Sequence, residues 1–264
     1  MPAPSRRAIV VAGVGLLALP GCSRNGGSQQ RELVQVHGSF SEAELSAIAD
    51  AAQTAAGSVV RRWGRTGALA GKGRVIVRAA ADEDEFRALG GDASRSVAAT
   101  TTDDAVVLMS PQLCAAKSEA QRFVLTHEIT HTVLGVRSVG ARWVAEGAAE
   151  LTAWKASGLS FSRYAPSLAD QVRQGRDVGG PPPDADFDSV ASTSESLNSA
   201  YQRACAYSDL LRSVRGDEHY RRFVHEAMAG RTDATSFYAR RPGDLSQQLR
   251  SHLRSLVGVS DQRR

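Results

Sequence analysis

The sequence predicts an α+β fold, in which a small mixed β-sheet forms an N-terminal lobe and mainly helices form a C-terminal lobe. The first half of the chain alternates short β-branched runs with helical patterns of apolar residues. After Cys114 the apolar residues recur at helical spacing almost to the end. We therefore expect one folded domain over residues 33–255, with its sheet lobe extending to about residue 117, followed by a polar tail over 256–264.

Local patterns predict the individual elements. Three runs of mainly apolar residues predict strands over residues 33–36, 74–78 and 105–110. An alanine-rich segment predicts a long helix over 41–62, and a short helix is expected over 82–89. Strands therefore precede most of the helices, and this order is typical of a two-lobed α+β fold.

Residues 1–22 have the features of an export signal and not those of a folded element. Two arginines precede an apolar run over 8–19 that is too short to span a bilayer as a helix, and the segment ends at Cys22. This ending resembles the bacterial lipobox, in which the cysteine is lipid-modified. The resemblance implies a lipid anchor at Cys22 on the extracytoplasmic face of the cell membrane. An ordinary cleaved signal, and thus a secreted protein, is the alternative.

The region after Cys22 and the two later cysteines add further expectations. Residues 23–32 have the composition of a flexible tether. Cys114 and Cys205 form an even pair, and an exported chain can keep a disulfide between them. The alternative is two buried thiols. The net charge is only +4 and the arginines are scattered, so nothing in the sequence supports a nucleic-acid partner.

Residues 127–131 read His-Glu-Ile-Thr-His, and this stretch carries the most chemical information in the chain. On a helix, His127 and His131 project from the same face and can both bind one metal ion. Glu128 lies beside them, where it can accept a proton from a water molecule without binding the metal. The alternative is a core helix that buries two packed histidines.

The sequence around this motif predicts the bounds of its helix. Ser118 can act as the N-terminal cap, with Gln121 at the third helical position as in a capping box. Gly135 is the expected end of the helix.

Residues 143–150 read Trp-Val-Ala-Glu-Gly-Ala-Ala-Glu and resemble the W-x-x-E-G-x-A-E signature of gluzincin zinc metallopeptidases, as found in the aminopeptidase branch and the bacterial peptidase MA group. The resemblance implies a zincin-like fold, with the active-site helix between the two lobes, and a Zn2+ cofactor. It also implies that Glu146 is the third metal ligand and that Glu150 accepts a hydrogen bond from a ligating histidine. The alternative for both glutamates is a solvated helix face.

Residues 200–211 are similar to the helix of the aminopeptidase branch that opens with a catalytic tyrosine. The resemblance implies that Tyr201 donates its hydroxyl to the oxyanion of the tetrahedral intermediate. Tyr207 comes six residues later, so the two tyrosines cannot both face one ion. The alternative for Tyr201 is a half-buried core phenol whose hydroxyl has a hydrogen-bond partner.

Taken together, these resemblances imply a zinc-dependent hydrolase of peptide bonds on the bacterial cell surface, with a peptide or protein as its substrate. The Gly-x-Met-Glu-Asn stretch of the aminopeptidase branch has no counterpart at residues 105–110, so the exopeptidase activity of that branch is not expected here. The alternative is a non-catalytic surface lipoprotein that uses the same fold for binding. The sequence specifies no oligomeric state.

Overall fold

The computed structural model describes residues 9–10, 26–91, 97–135, 140–187 and 193–258, and it confirms the predicted α+β class. The chain divides into two compact units, Met1–Val136 and Arg137–Arg264. The strands of the first unit are β1 (Ile9–Val10), β2 (Gly27–Gln30), β3 (Val34–Gly38), β4 (Val75–Ala79), β5 (Val97–Thr101) and β6 (Val106–Met109). Its helices are α1 (Glu42–Trp63), α2 (Glu83–Ala88), α3 (Pro111–Cys114) and α4 (Ser118–Leu134). The helices of the second unit are α5 (Arg142–Ser157), α6 (Phe161–Tyr164), α7 (Pro166–Arg173), α8 (Ser194–Met228), α9 (Ala234–Phe237) and α10 (Pro242–Leu256).

The strands form one mixed sheet in the order β1-β5-β6-β4-β3-β2. β4 is parallel to both of its neighbours, β3 and β6, whereas β2 and β5 run antiparallel to theirs. β1 is a two-residue segment that pairs with β5 through Ile9 and Val10. The three strands predicted from the sequence are therefore confirmed as β3, β4 and β6.

Three strands depart from the sequence expectations. β1 lies inside residues 1–22, a segment that was not expected to form a folded element. β5 was not predicted, and β2 lies inside the segment whose composition predicts a tether. Gly27–Gln30 pairs residue by residue with β3, from Gly27 opposite Gly38 to Gln30 opposite Gln35. The ladder hydrogen bonds of such an outer strand involve only the backbone, so polar side chains do not prevent it from forming.

The long helix α1 begins and ends close to its predicted bounds. Ser41 accepts a hydrogen bond from the backbone N–H of Glu44, whose carboxylate accepts one from the Ser41 N–H at 2.9 Å. This reciprocal pair satisfies two backbone donors at the start of the helix. The apolar face of α1 is buried against α4 and the sheet, and its buried large residues are Leu45, Ile48, Val59 and Trp63.

Helix α4 carries the His-Glu-Ile-Thr-His motif, and it begins differently from the prediction. Lys117 occupies the N-cap position and no side chain caps the helix, so the predicted capping box of Ser118 and Gln121 is wrong. The Gln121 side chain donates instead to the backbone carbonyls of Leu113, at 3.2 Å, and of Cys114, at 2.9 Å. These bonds satisfy the last carbonyls of α3 and tie it to α4. Gly135 ends α4 as predicted, with φ of 100°.

The second unit is helical, and α5 packs along α8 as its main internal contact. Trp143 of α5 lies edge-on to Tyr207 and stacks on Phe223, at centroid distances of 5.1 and 6.2 Å. Gly216 interrupts α8 with φ of 83°, a value that a residue with a side chain rarely adopts. Over the part of the chain that the structure describes, no helix is both long enough and apolar enough to cross a membrane.

Candidate metal centre

Helix α4 places the two motif histidines on one face. The Nε2 atoms of His127 and His131 lie 3.1 Å apart, and both side chains are buried. Two nitrogen ligands bound tetrahedrally at ~2.0–2.1 Å from a zinc ion lie about 3.3–3.4 Å apart. The distance between the two Nε2 atoms is therefore close to the distance between two nitrogen ligands of one zinc ion.

Among the residues that the structure describes, one group of three side chains can hold a metal ion: His127, His131 and Glu146. One ligand atom from each lies within 4.8 Å of the others, and all three residues are buried. Burying ionisable groups together is costly unless a charge of opposite sign or a bound cation compensates them. Two imidazoles and a carboxylate are also a donor set that zinc prefers, so the residues fit such an ion.

Glu128 is fully buried next to His127, and its carboxylate is held by a residue that the sequence did not single out. The hydroxyl of Thr101, at the end of β5, lies 2.5 Å from Oε2 of Glu128 and 3.2 Å from the Glu128 backbone carbonyl oxygen. Because β5 was not predicted, no sequence signal placed Thr101 near the motif. A threonine at the end of a short strand has no recognisable pattern of its own.

Glu146 lies on α5 and is completely buried, contrary to the alternative of a solvated helix face. Its Oε1 accepts a hydrogen bond at 3.3 Å from Nε of Arg142, one helical turn earlier. The backbone N–H at the start of α5, on Arg142, donates to Asp184 at 2.8 Å. The Arg142 guanidinium also lies over the Phe187 ring, 5.5 Å from its centroid. Arg142 therefore supplies a positive charge that offsets part of the cost of burying Glu146.

Gly147 explains why α5 and α8 can lie so close together beside Glu146. A Cβ atom on Gly147 would come within 2.6 Å of the backbone oxygen of Ala204 on α8. Only glycine leaves room for that approach. The glycine of the sequence signature thus has a packing role in this chain.

Glu150 is also buried, and a tyrosine that the sequence did not indicate binds it. The hydroxyl of Tyr164 donates to Oε2 of Glu150 at 2.8 Å. Burial, with added effects from Cys205 and Glu150, raises the pKa of Tyr164 well above its ordinary value, so the hydroxyl stays protonated and available as a donor. The expected hydrogen bond from a histidine to Glu150 stays a prediction.

The two tyrosines of α8 occupy different surroundings. Tyr201 is buried and packs edge-on against Phe187, with ring centroids 5.4 Å apart. Tyr207 packs against Trp143 instead, and burial raises its pKa to about 12. Tyr201 is therefore a buried phenol in an aromatic contact, and its oxyanion role stays a prediction.

The cysteines do not form the disulfide that was considered from the sequence. Cys114 and Cys205 are both free thiols. Cys114 is the last residue of α3 and is partly buried, whereas Cys205 is buried on α8 beside Tyr164 and Glu150. Burial raises the pKa of both thiols, so neither is an activated nucleophile. Cys22, the predicted lipidation site, lies outside the described residues.

No protein-family model matches the sequence, and no curated protein matches it. Among solved structures, the chain is similar to a mutant of a two-domain M1 zinc metallopeptidase bound to L-arginine. The TM-score is 0.40 at 16% identity, over 89% of this chain and 52% of that one. The chain thus spans about half the length of that protein. A similarity of this size does not assign a function, which has to be inferred from the site itself.

Proposed function

We propose that this chain is a zinc-dependent peptidase of the gluzincin type, with His127, His131 and Glu146 as its metal ligands and Glu128 as its general base. The observation that supports this proposal best is the buried grouping of the three ligand side chains. Glu128 follows directly after the first ligand on the same helix, as the chemistry requires. A buried metal site with a purely structural role would have no need of that fourth side chain.

Each residue has a distinct role in peptide hydrolysis. A zinc ion held by the three ligands would polarise the scissile carbonyl and activate a water molecule. Glu128 accepts the proton of that water and returns it to the leaving amine. Tyr201 donates its hydroxyl to the oxyanion, a contribution of typically ~3–4 kcal/mol for one such donor. Glu150 orients a ligating histidine.

The proposal includes a location outside the cytoplasm. The apolar segment that ends at Cys22 supports export and lipid attachment at that cysteine. The substrate would then be an extracytoplasmic peptide or protein. Expression in a bacterial host with radiolabelled palmitate tests this, because Cys22→Ser should abolish the label. Equal labelling of the wild type and the variant would contradict lipid attachment at this position.

The hydrolase proposal is tested with purified protein and a peptide library read by mass spectrometry. We expect one zinc ion per chain, peptide cleavage that a chelator abolishes, and recovery of cleavage on adding zinc. Glu128→Gln should keep the zinc and lose hydrolysis, because the amide cannot accept the proton. His131→Ala should lose the zinc. The control is His225→Ala, which alters an exposed histidine of α8 and should keep both the zinc and the hydrolysis.

Two results would contradict the proposal in different ways. Full activity of Glu128→Gln would remove the general base from the mechanism. A protein that binds one zinc ion and cleaves no member of the library would instead be a binding protein that uses this fold without catalysis.

A further inference from the structure

Thr101, the last residue of β5, donates a hydrogen bond to the Glu128 carboxylate within the first unit. Its Oγ1 is 2.5 Å from Oε2 of Glu128, against 3.2 Å from the backbone carbonyl oxygen of the same residue. A threonine hydroxyl carries a single proton, so it can serve one of these acceptors at a time. The shorter distance favours Oε2 as the acceptor.

The position of Thr101 is fixed by the hairpin that joins β5 to β6. Thr101 pairs with Val107 in the antiparallel register. Immediately after it, the Thr102 N–H donates to the Val106 carbonyl at 2.9 Å, and the Thr102 hydroxyl accepts from the Val106 N–H at 3.2 Å. Ala105 completes the turn with φ of 60°. β5 also packs against α4, so the hydroxyl is held beside the motif by backbone on both sides.

We propose that Thr101 is a positioning residue for Glu128, an inference that rests on the proposed function. Its hydroxyl binds Oε2 and fixes the plane of the carboxylate, so that Oε1 is the oxygen that takes the proton. In that step one O–H bond of water breaks, its proton binds Oε1, and the electron pair stays on the oxygen that attacks the carbonyl. Proton transfer depends on such alignment, because small displacements of a reacting group can cost a large part of the rate.

The test compares three variants of the full-length protein. Thr101→Val keeps the shape of the side chain and removes the hydroxyl, whereas Thr101→Ser keeps the hydroxyl. The control is Thr100→Val, because Thr100 is buried on the same strand and its side chain points to the opposite face of the sheet. All three are assayed for peptide hydrolysis and zinc content, and their crystal structures are compared.

We expect kcat of Thr101→Val to fall by about 10- to 100-fold with KM and zinc content unchanged. Thr101→Ser should restore kcat to within about threefold of the wild type, and Thr100→Val should match the wild type. A merely structural role would lower the stability of the valine variant without this selective change in kcat. Wild-type kcat in Thr101→Val, or an equal loss in the serine variant, would overturn the proposal.

A readout that needs no activity separates this proposal from the proposed function. In crystals, the Glu128 carboxylate should keep its orientation in Thr101→Ser and rotate or lose order in Thr101→Val. If the wild type hydrolyses no peptide, the proposed function fails, and an unchanged carboxylate in the valine variant would still overturn the role of Thr101. If Thr101→Val does not fold, Thr101→Ala provides the same comparison with a smaller side chain.

Discussion

Replacing Gly147 by alanine should destabilise the helical unit, although alanine is the better helix former. The added Cβ would lie 2.4 Å from Oγ of Ser208, 2.6 Å from the backbone oxygen of Ala204 and 3.0 Å from its carbonyl carbon. The serine side chain can rotate away, but the backbone of α8 cannot. Helices α5 and α8 would therefore have to separate by several tenths of an ångström.

The magnitude follows from two opposing effects. Overpacking a close contact costs typically ~1–3 kcal/mol, and a backbone clash belongs at the upper end of that range. The higher helix propensity of alanine stabilises the helix by about 1 kcal/mol relative to glycine. The free energy of unfolding should therefore fall by about 2 kcal/mol, which lowers the melting temperature by about 4–8 °C.

Gly57 provides a matched control for this substitution. It also lies inside a helix, α1, but its Cβ would meet only the end of the Arg61 side chain, at 3.6 Å. Gly57→Ala should therefore stabilise the protein by about 0.5–1 kcal/mol. Urea denaturation followed by circular dichroism measures the change in the free energy of unfolding for both variants. Changes of the same sign in the free energy of unfolding of the two variants would refute the close approach of α8 to Gly147.

Two further predictions concern buried ionisable groups. Burial raises the pKa of Asp209, but His252, Lys155 and Arg212 outweigh it, so the pKa lies well below 3.8. The ionised Asp209 carboxylate stabilises the folded protein fully above pH 3.8, and this stabilisation is lost as the pH falls through the lower pKa that Asp209 has in the folded state. Asp209→Asn should lower the free energy of unfolding, measured by urea denaturation, by about 3 kcal/mol at pH 7 and by less near pH 3. An equal decrease at both pH values would contradict this prediction. Because the two thiols are free, a reducing agent should leave the melting temperature unchanged in calorimetry, whereas a clear drop would indicate a disulfide.

The parts of the fold that sequence patterns predicted are those set by local interactions. Helix α1 was predicted from its alanine-rich sequence, because helix propensity acts within a few neighbouring residues. β5 gave no such signal, because its Val-Ala-Ala-Thr-Thr sequence is short and buried at every position, so it does not alternate. Its pairing with β6 is a tertiary interaction.

The candidate site likewise combines a local feature that the sequence predicts with tertiary contacts that it does not. The helical spacing of His127 and His131 follows from the sequence, because four residues make about one turn. The partners of the acidic residues did not follow from it. Thr101 reaches Glu128 from a different element, and Tyr164 reaches Glu150 from a short helix later in the chain. Such contacts depend on how distant segments pack, and their residue types are common on protein surfaces and in cores alike.

Anomalous diffraction at the zinc absorption edge, from crystals grown with zinc, is the most direct measurement of the proposed metal centre. One strong peak is expected, with the Nε2 atoms of His127 and His131 and a Glu146 carboxylate oxygen each at ~2.0–2.2 Å from it. A peak elsewhere, or no peak at these three side chains in a protein that otherwise folds as described, would contradict it.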